Sequence, residues 1–157
     1  MNRLSIKILI CVIICLLLGF ASGYGTGEAI SGWYQNLEKP NWTPPNWIFG
    51  PVWTLLYILM GISAAIIWHS KNTMKKRALM FFLIQFILNL AWSSVFFNFR
   101  LVGWAFVEII VLIIFLLLTV VYFYKINKTA TYLLLPYLFW TAFASLLNGS
   151  LWFLNQS

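Results

Sequence analysis

Long apolar runs, separated by short polar or basic stretches, organise this sequence. A membrane-spanning helix needs roughly 20 consecutive apolar residues, and five runs reach that length. They are Ser5–Gly27, Pro44–His69, Arg77–Phe99, Leu101–Tyr124 and Thr129–Leu154. Every connection is short except the one between the first two runs. The pattern predicts an all-α fold, an integral membrane bundle of five transmembrane helices in which residues 1–157 form a single domain.

Composition agrees with this pattern. The chain is 62% hydrophobic and 8% charged, with a mean hydropathy of +0.90, whereas a soluble domain carries roughly 25% charged residues. The lipid bilayer is therefore its expected surroundings. A formal net charge of +7 raises the question of nucleic-acid binding. The Lys and Arg residues stand in short clusters at the ends of apolar runs, where they set topology, so we expect no nucleic-acid partner.

The basic clusters also predict an orientation. Those within residues 3–7, 71–77 and 125–128 fall on one side of a five-helix chain, and only Lys39 and Arg100 fall on the other. Cytoplasmic loops carry the excess of Lys and Arg. We therefore expect a membrane protein with a cytoplasmic N-terminus and an outward first loop.

The first apolar run has two interpretations. Arg3 and Lys7 ahead of apolar residues resemble a signal peptide, but the run is long enough to span, and we interpret it as a retained helix. Gly19, Gly23 and Gly27 recur every four residues there, a spacing that permits close helix contact. That contact is either within the chain or between two copies.

Tryptophan and proline are concentrated between the first two runs. Residues 33–53 hold four of the nine Trp and four of the five Pro. Trp favours the membrane–water boundary, and Pro stiffens a segment that cannot be regular helix. We predict a rigid aromatic cover over one end of the bundle, which suits a flat apolar ligand. Thr43 is the predicted N-cap of the second helix, with Pro44 and Pro45 in its first turn.

Two further prolines lie deeper in predicted helices. Pro51 and Pro136 should bend helices two and five, because each removes a backbone hydrogen bond. Tryptophans flank both bends, which favours a shaped cavity, although bends that serve packing alone are equally common.

A polar stripe runs along the third helix. Gln85, Asn89 and Ser93 are spaced by four residues and so share a face. Polar side chains are costly when they face lipid, so this face should point into the bundle. Hydrogen bonding between helices is the alternative role, especially for Gln85.

Aromatic and small residues mark matching faces on two other helices. Several such residues on different helices point to one pocket near the outer end of the bundle. The residues with this spacing are Trp53 and Tyr57 on helix two, and Trp140, Ala144, Leu147, Asn148 and Trp152 on helix five.

Two titratable residues, Glu108 and His69, are isolated in predicted helices. Glu108 inside the fourth helix is a functional candidate, a neutral hydrogen-bonded acid or a partner of Arg100, and the sequence leaves these open. His69 ends the second helix on the membrane face opposite the aromatic cover. It cannot ligate a metal held under that cover, so no metal site is predicted and a flat ligand there would be held by stacking and shape. The sequence shows no nucleophile–base pair or phosphate loop, which argues against ordinary hydrolases and transferases.

These residues resemble the tryptophan-rich sensory protein family, TspO, whose mitochondrial members are called translocator protein or peripheral benzodiazepine receptor. The resemblance covers nearly the whole chain. Its strongest parts are WYQNLEKPNWTPPNWIFGPVWTLLYILMGIS (Trp33–Ser63), QFILNLAWSSVFF (Gln85–Phe97) and LLPYLFWTAFASLLNGSLWFLN (Leu134–Asn155). It implies five helices, a loop-covered pocket and a homodimer. It also implies binding of protoporphyrin IX, haem and synthetic isoquinoline or benzodiazepine-site ligands, with no cofactor required.

The resemblance further implies which residues form the pocket. Carried over by position, the ligand-binding residues are Tyr34, Trp53, Asn89, Ser93, Trp140 and Ala144. Some bacterial members degrade protoporphyrin IX under light, and we assign the oxidisable indoles of that reaction to Trp53 and Trp140. A transporter of apolar ligands and a stress-signalling scaffold are the alternatives. Sterol binding is not expected, because no Lys or Arg follows Tyr137 where the animal cholesterol motif ends.

Overall fold

A computed structural model describes residues 3–156. Within that range six α-helices and no strands are present. They are α1 (Arg3–Ser22), α2 (Thr26–Ser31), α3 (Phe49–His69), α4 (Lys75–Ser93), α5 (Val102–Ile126) and α6 (Lys128–Leu154). All except α2 are long and apolar enough to cross a membrane. The predicted all-α fold with five spanning helices is confirmed.

The long helices are arranged in an order that differs from the chain order. α1 packs against α3, α3 against α6, α6 against α5 and α5 against α4, while α4 makes smaller contacts with α3 and α1. The helices therefore surround a common interior in the order α1, α3, α6, α5, α4. This order makes neighbours of α3 and α6, the helices that carry Trp53 and Trp140.

Glycines allow α1 and α3 to approach closely. A Cβ atom added at Gly61 of α3 would lie 2.6 Å from the Cα atom of Val12, and one added at Gly19 would overlap the Tyr57 ring. Glycine is required at both positions because no side chain fits there. At Gly19, therefore, the glycine repeat serves packing within the chain.

The first helix is shorter than predicted. We expected it to continue to Gly27, but α1 ends at Ser22 and a new helix begins at Thr26. Gly25 adopts a left-handed conformation with φ of 82°, which glycine reaches without a steric cost. The chain leaves the helix axis there and starts to cross the end of the bundle.

The start of the second spanning helix also differs from the prediction. α3 begins at Phe49, after a 3₁₀ turn, so Pro44 and Pro45 precede the α-helix. Thr43 is not an N-cap, because its hydroxyl donates to the Pro40 carbonyl at 2.8 Å. Pro51 is the third residue of α3, in the first turn, where a missing N–H costs little. Only Pro136 lies deep inside its helix as predicted.

The end of α4 is wound more loosely than an α-helix. A π-helical turn covers Ser94–Asn98, and the Phe99 N–H bonds to the Ser94 carbonyl at 2.9 Å. Such turns are rare and often lie at functional sites. Here the turn presents two consecutive aromatic rings, Phe96 and Phe97, towards residues 23–48, the segment that we call the lid.

Candidate functional site

A cavity of about 290 Å³ lies beneath the lid, between α1, α3, α4 and α6. Side chains from each of these elements reach it. The six residues that we predicted as ligand-binding all line this cavity, namely Tyr34, Trp53, Asn89, Ser93, Trp140 and Ala144. Leu147, Asn148 and Tyr57, predicted from spacing alone, line it as well.

Each of the two indoles is held by aromatic neighbours. The Trp53 ring centroid lies 5.7 Å from that of Tyr57 and 6.3 Å from that of Tyr137. Trp140 has Phe143 at 5.4 Å and Phe49 at 6.1 Å. Edge and tilted contacts of this kind stabilise a pair by about 1 kcal/mol beyond area burial. The cavity walls are therefore preformed apolar surfaces.

Hydrogen bonds between helices form the polar inner end. The Tyr57 hydroxyl donates to Asn89 Oδ1 at 2.8 Å, and the Tyr137 hydroxyl donates to Gln85 Oε1 at 2.7 Å. Asn89 lines the cavity, whereas Gln85 is 0% exposed and lies outside the lining. Gln85 therefore has the structural role that we gave as the alternative, and Asn89 both bridges helices and faces the cavity.

A second amide links three helices nearer the lid. Asn148 Oδ1 accepts from the Trp92 indole N–H at 3.1 Å, while Asn148 Nδ2 donates to the Val102 carbonyl at 2.9 Å. One side chain on α6 thus fixes α4 and the start of α5. This amide faces the cavity with its hydrogen bonds already formed.

Tyr34 carries the cover. It is 3% exposed, and its ring lies 5.8 Å from Phe97 and 6.2 Å from Phe96. The Lys39 ammonium lies 4.7 Å from the Tyr34 ring centroid and donates to the Gln35 and Leu37 carbonyls. Burial raises the pKa of the Tyr34 phenol, so this group stays protonated and uncharged at neutral pH.

The lid is fastened to the end of α6. The Glu38 N–H donates to Asn155 Oδ1 at 3.0 Å, and Asn155 Nδ2 donates to the Glu38 carbonyl at 3.0 Å. Trp42 adds a ring contact with Phe143 at 5.6 Å. These contacts, together with the buried Tyr34 ring, hold the lid in place.

The structure also tests the predictions for Trp152 and His69. Trp152 does not line the cavity and instead stacks on Phe106 at 5.9 Å. Twelve residues separate it from Trp140, which turns it about 120° around the helix at 3.6 residues per turn. His69 ends α3, about 30 Å along the axis from the lid end, so it is remote from the cavity as predicted.

Glu108 has neither of the partners that we considered. Both carboxyl oxygens are buried without a hydrogen bond to any of residues 3–156, and Arg100 instead lies over the Trp33 ring, 5.8 Å from its centroid. The hydrogen-bonded reading and the Arg100 pairing are therefore both wrong. Within the same range, no cluster of three His, Cys, Asp or Glu residues could hold a metal.

Sequence reasoning does not identify Phe49 or Phe97, which also line the cavity. Phe49 follows a run of prolines that conceals the true helix start. Phe97 lies one residue after Phe96, about 100° around a regular helix, and the π-helical turn brings both rings to one side. The spacing of apolar residues in the sequence does not predict this π-helical turn.

Comparison with known proteins decides the family. The TspO/MBR family model matches residues 11–153. The chain belongs to the TspO/MBR family. It is 43% identical to "Tryptophan-rich protein TspO" of Archaeoglobus fulgidus over 150 residues, which cover 96% of this chain and 97% of that protein. The protein of the same name from Chlorobaculum tepidum is 40% identical, covering 99% of both chains.

The similarity extends to animal members of the TspO/MBR family. The human "Translocator protein" is 37% identical over 129 residues, covering 80% of this chain and 76% of that protein. The family resemblance read from the sequence is therefore confirmed. With five apolar helices of spanning length, this TspO/MBR protein is an integral membrane protein.

Proposed function

We propose that the chain is a membrane receptor that binds porphyrins, protoporphyrin IX or haem, in the lid-covered cavity. The observation that carries the proposal is that Trp53 and Trp140, from different helices, line one cavity beneath Tyr34. Synthetic isoquinoline and benzodiazepine-site ligands belong to the same class, since they are flat and largely apolar. No cofactor is required.

Stacking supplies most of the proposed affinity. Each indole face contributes on the order of 1 kcal/mol beyond area burial, and Asn89 and Ser93 offer polar contacts at the edge of a ring system. His69 is too distant to ligate iron, so haem and metal-free protoporphyrin should bind similarly. The cavity lies near the lower end of the roughly 300–1,000 Å³ range of ligand pockets. A full macrocycle therefore requires outward movement of the lid.

Light-dependent degradation of protoporphyrin IX is the enzymatic part of this proposal. Dioxygen is the oxidant of this reaction: the excited porphyrin activates it, and the protein holds the porphyrin beside an oxidisable indole. Trp53 and Trp140 are the indoles that line the cavity next to such a guest. Because this chemistry needs no base or nucleophile, it suits a site built from aromatic rings and amides.

A titration of the purified chain tests both parts. Protoporphyrin IX, haem and an isoquinoline ligand are added in the dark and in light, and the products are analysed. Changing Trp53 and Trp140 together to Phe should retain much of the binding and abolish degradation. Trp47→Phe is the matched control, because Trp47 is 73% exposed and lies outside the cavity. Full photodegradation by the double variant would refute the assignment.

Transport is the second candidate, favoured by the name of the animal relatives, "Translocator protein". Transporters commonly show internal repeats and broken helices at the midplane, and this sequence shows no repeat. Porphyrin flux into sealed vesicles that contain the pure protein would establish it. A non-catalytic scaffold in stress signalling predicts instead that cavity substitutions leave the cellular phenotype unchanged.

Two further expectations concern assembly and placement. The homodimer implied by the resemblance remains a proposal, to be tested by crosslinking in membranes. We also propose a bacterial cell-membrane location, and the distribution of basic residues supports a cytoplasmic N-terminus and an outward lid. Labelling of single cysteines introduced in the lid and in residues 71–74 would test the orientation.

A further inference from the structure

A second hollow opens on the lid side of the bundle, outside the ligand cavity. It has a volume of about 630 Å³ and lies between the lid, the α4–α5 connection and the end of α6. We call it the arginine groove, and the residues that matter here are Trp33, Leu37, Arg100, Trp104, Val107 and Trp152. It shares no lining residue with the ligand cavity.

Arg100 is the charged residue in the lining of this groove. Its guanidinium carbon lies 5.8 Å from the Trp33 ring centroid, and the group makes no hydrogen bond or ion pair within residues 3–156. Lys39, the other basic residue on this side, is already bound to two backbone carbonyls. The guanidinium donors of Arg100 are therefore free to meet an anion.

The backbone conformation at Arg100 indicates that this residue does more than set the orientation of the chain in the membrane. Its φ is +57°, the one positive value at a non-glycine position in the described part of the chain. This left-handed conformation is sterically unfavourable for an ordinary residue, and glycine would adopt it without that cost. Backbone strain of this kind is concentrated at ligand-binding sites.

The walls of the groove change from polar to apolar with depth. Arg100 lies two residues before α5, at the end of a spanning helix, where lipid headgroups lie. Trp104 is 69% exposed, and Val107, which is 51% exposed, lies about 4.5 Å further along the helix axis. A ligand that fits has an anionic head and an apolar tail directed into the bilayer.

We propose that the arginine groove binds one anionic phospholipid, with the phosphate on the Arg100 guanidinium and an acyl chain along Trp104 and Val107. The planar guanidinium matches two phosphate oxygens. An anionic headgroup such as phosphatidylglycerol leaves its phosphate free for this contact, whereas the ammonium of phosphatidylethanolamine competes for it. This site is independent of the porphyrin proposal.

Native mass spectrometry of the full chain tests the proposal. The protein is mixed in detergent with equal amounts of phosphatidylglycerol and phosphatidylethanolamine of the same chain length, and the detergent is then removed in the spectrometer. The bound fraction of phosphatidylglycerol should be at least fivefold larger than that of phosphatidylethanolamine. Arg100→Gly should abolish that preference while leaving the Tm in detergent unchanged or higher, because it relieves the left-handed backbone. Arg100→Lys keeps the charge without the planar fork and should retain an intermediate preference.

Arg77→Gln is the control, since it removes one arginine charge at the other end of the bundle and should keep the preference. Equal retention of the two lipids by the wild type would overturn the proposal. An Arg100→Gly variant that still prefers phosphatidylglycerol would also overturn it. If the Tm of that variant falls while lipid retention is unchanged, the role of Arg100 is to pack the lid through Trp33. If the glycine variant does not fold, Arg100→Asn, which also tolerates the left-handed conformation, answers the same question.

Discussion

The ligand cavity and the arginine groove lie on the same side of the bundle and are both lined by tryptophan. They differ in whether their polar side chains already have hydrogen-bond or ionic partners within the protein. In the cavity, the Asn89 and Asn148 amides already have partners within the protein. In the groove, a full positive charge at Arg100 has no anionic partner in the described chain. The cavity can select a guest mainly by shape and stacking, and the groove mainly by charge.

Changing both Trp53 and Trp140 to Ala should separate the two regions most strongly. Each truncation removes stacking and apolar area worth about 1.4 kcal/mol, a tenfold effect, so protoporphyrin IX affinity should fall about 100-fold. Phosphatidylglycerol retention should not change. Fluorescence titration and native mass spectrometry on the same sample measure both. Parallel loss of lipid and porphyrin would mean that the two hollows are not independent.

Tyr137→Phe tests how completely the polar groups beneath the cavity are paired. It leaves the fully buried Gln85 without a hydrogen bond, and the free energy of unfolding should fall by about 2 kcal/mol. Tyr57→Phe should cost less, because Asn89 faces the cavity, where water can replace the lost donor. Thermal unfolding in detergent compares the two variants, and the reverse order would contradict this account.

Asn155→Ala examines the contact that the two regions share, because Asn155 lines the groove and also fastens the lid. Without its paired hydrogen bonds to Glu38 the lid should open more often. Protoporphyrin IX association should become about fivefold faster, because the free energy of lid opening falls by roughly 1 kcal/mol. Stopped-flow fluorescence measures the rate, with Gln156→Ala as the neighbouring control. An unchanged rate would show that guests enter without lid opening.

Glu108→Met should give the smallest effect and one of opposite sign. Glu108 resembles Arg100 in lacking a partner, but its carboxyl oxygens are buried rather than available to a ligand. Replacing them with an apolar side chain of similar length should raise the free energy of unfolding by about 1 kcal/mol. Glu28→Met, on the short helix α2, is the control. A lower Tm for Glu108→Met would assign the carboxyl a partner outside this chain.

The sequence predicts the spanning helices well, because runs of apolar residues suffice to identify them. It also predicts Asn89, Ser93, Trp140 and Ala144 as residues facing the bundle interior, since spacing on one helix defines a face. The structure adds that these faces meet around one cavity.

What the sequence does not reveal depends on contacts between distant segments. The break after Ser22 requires the left-handed Gly25, and the late start of α3 depends on the proline-rich lid. Trp152 shows that residues spaced by three or four positions gradually rotate around the helix, so after three turns they no longer share a face. The isolation of Glu108 and the free guanidinium of Arg100 could not be predicted, because one sequence does not say which charges lie near each other.

The order of the helices around the interior has a consequence for biosynthesis. α3 and α6 provide the two indoles, and α6 is synthesised after α3. Until α6 inserts, the cavity lacks the wall that carries Trp140, so a chain truncated before α6 presents only one of the two indoles. Under the proposed function, a ligand that needs both indoles binds only after α6 has inserted.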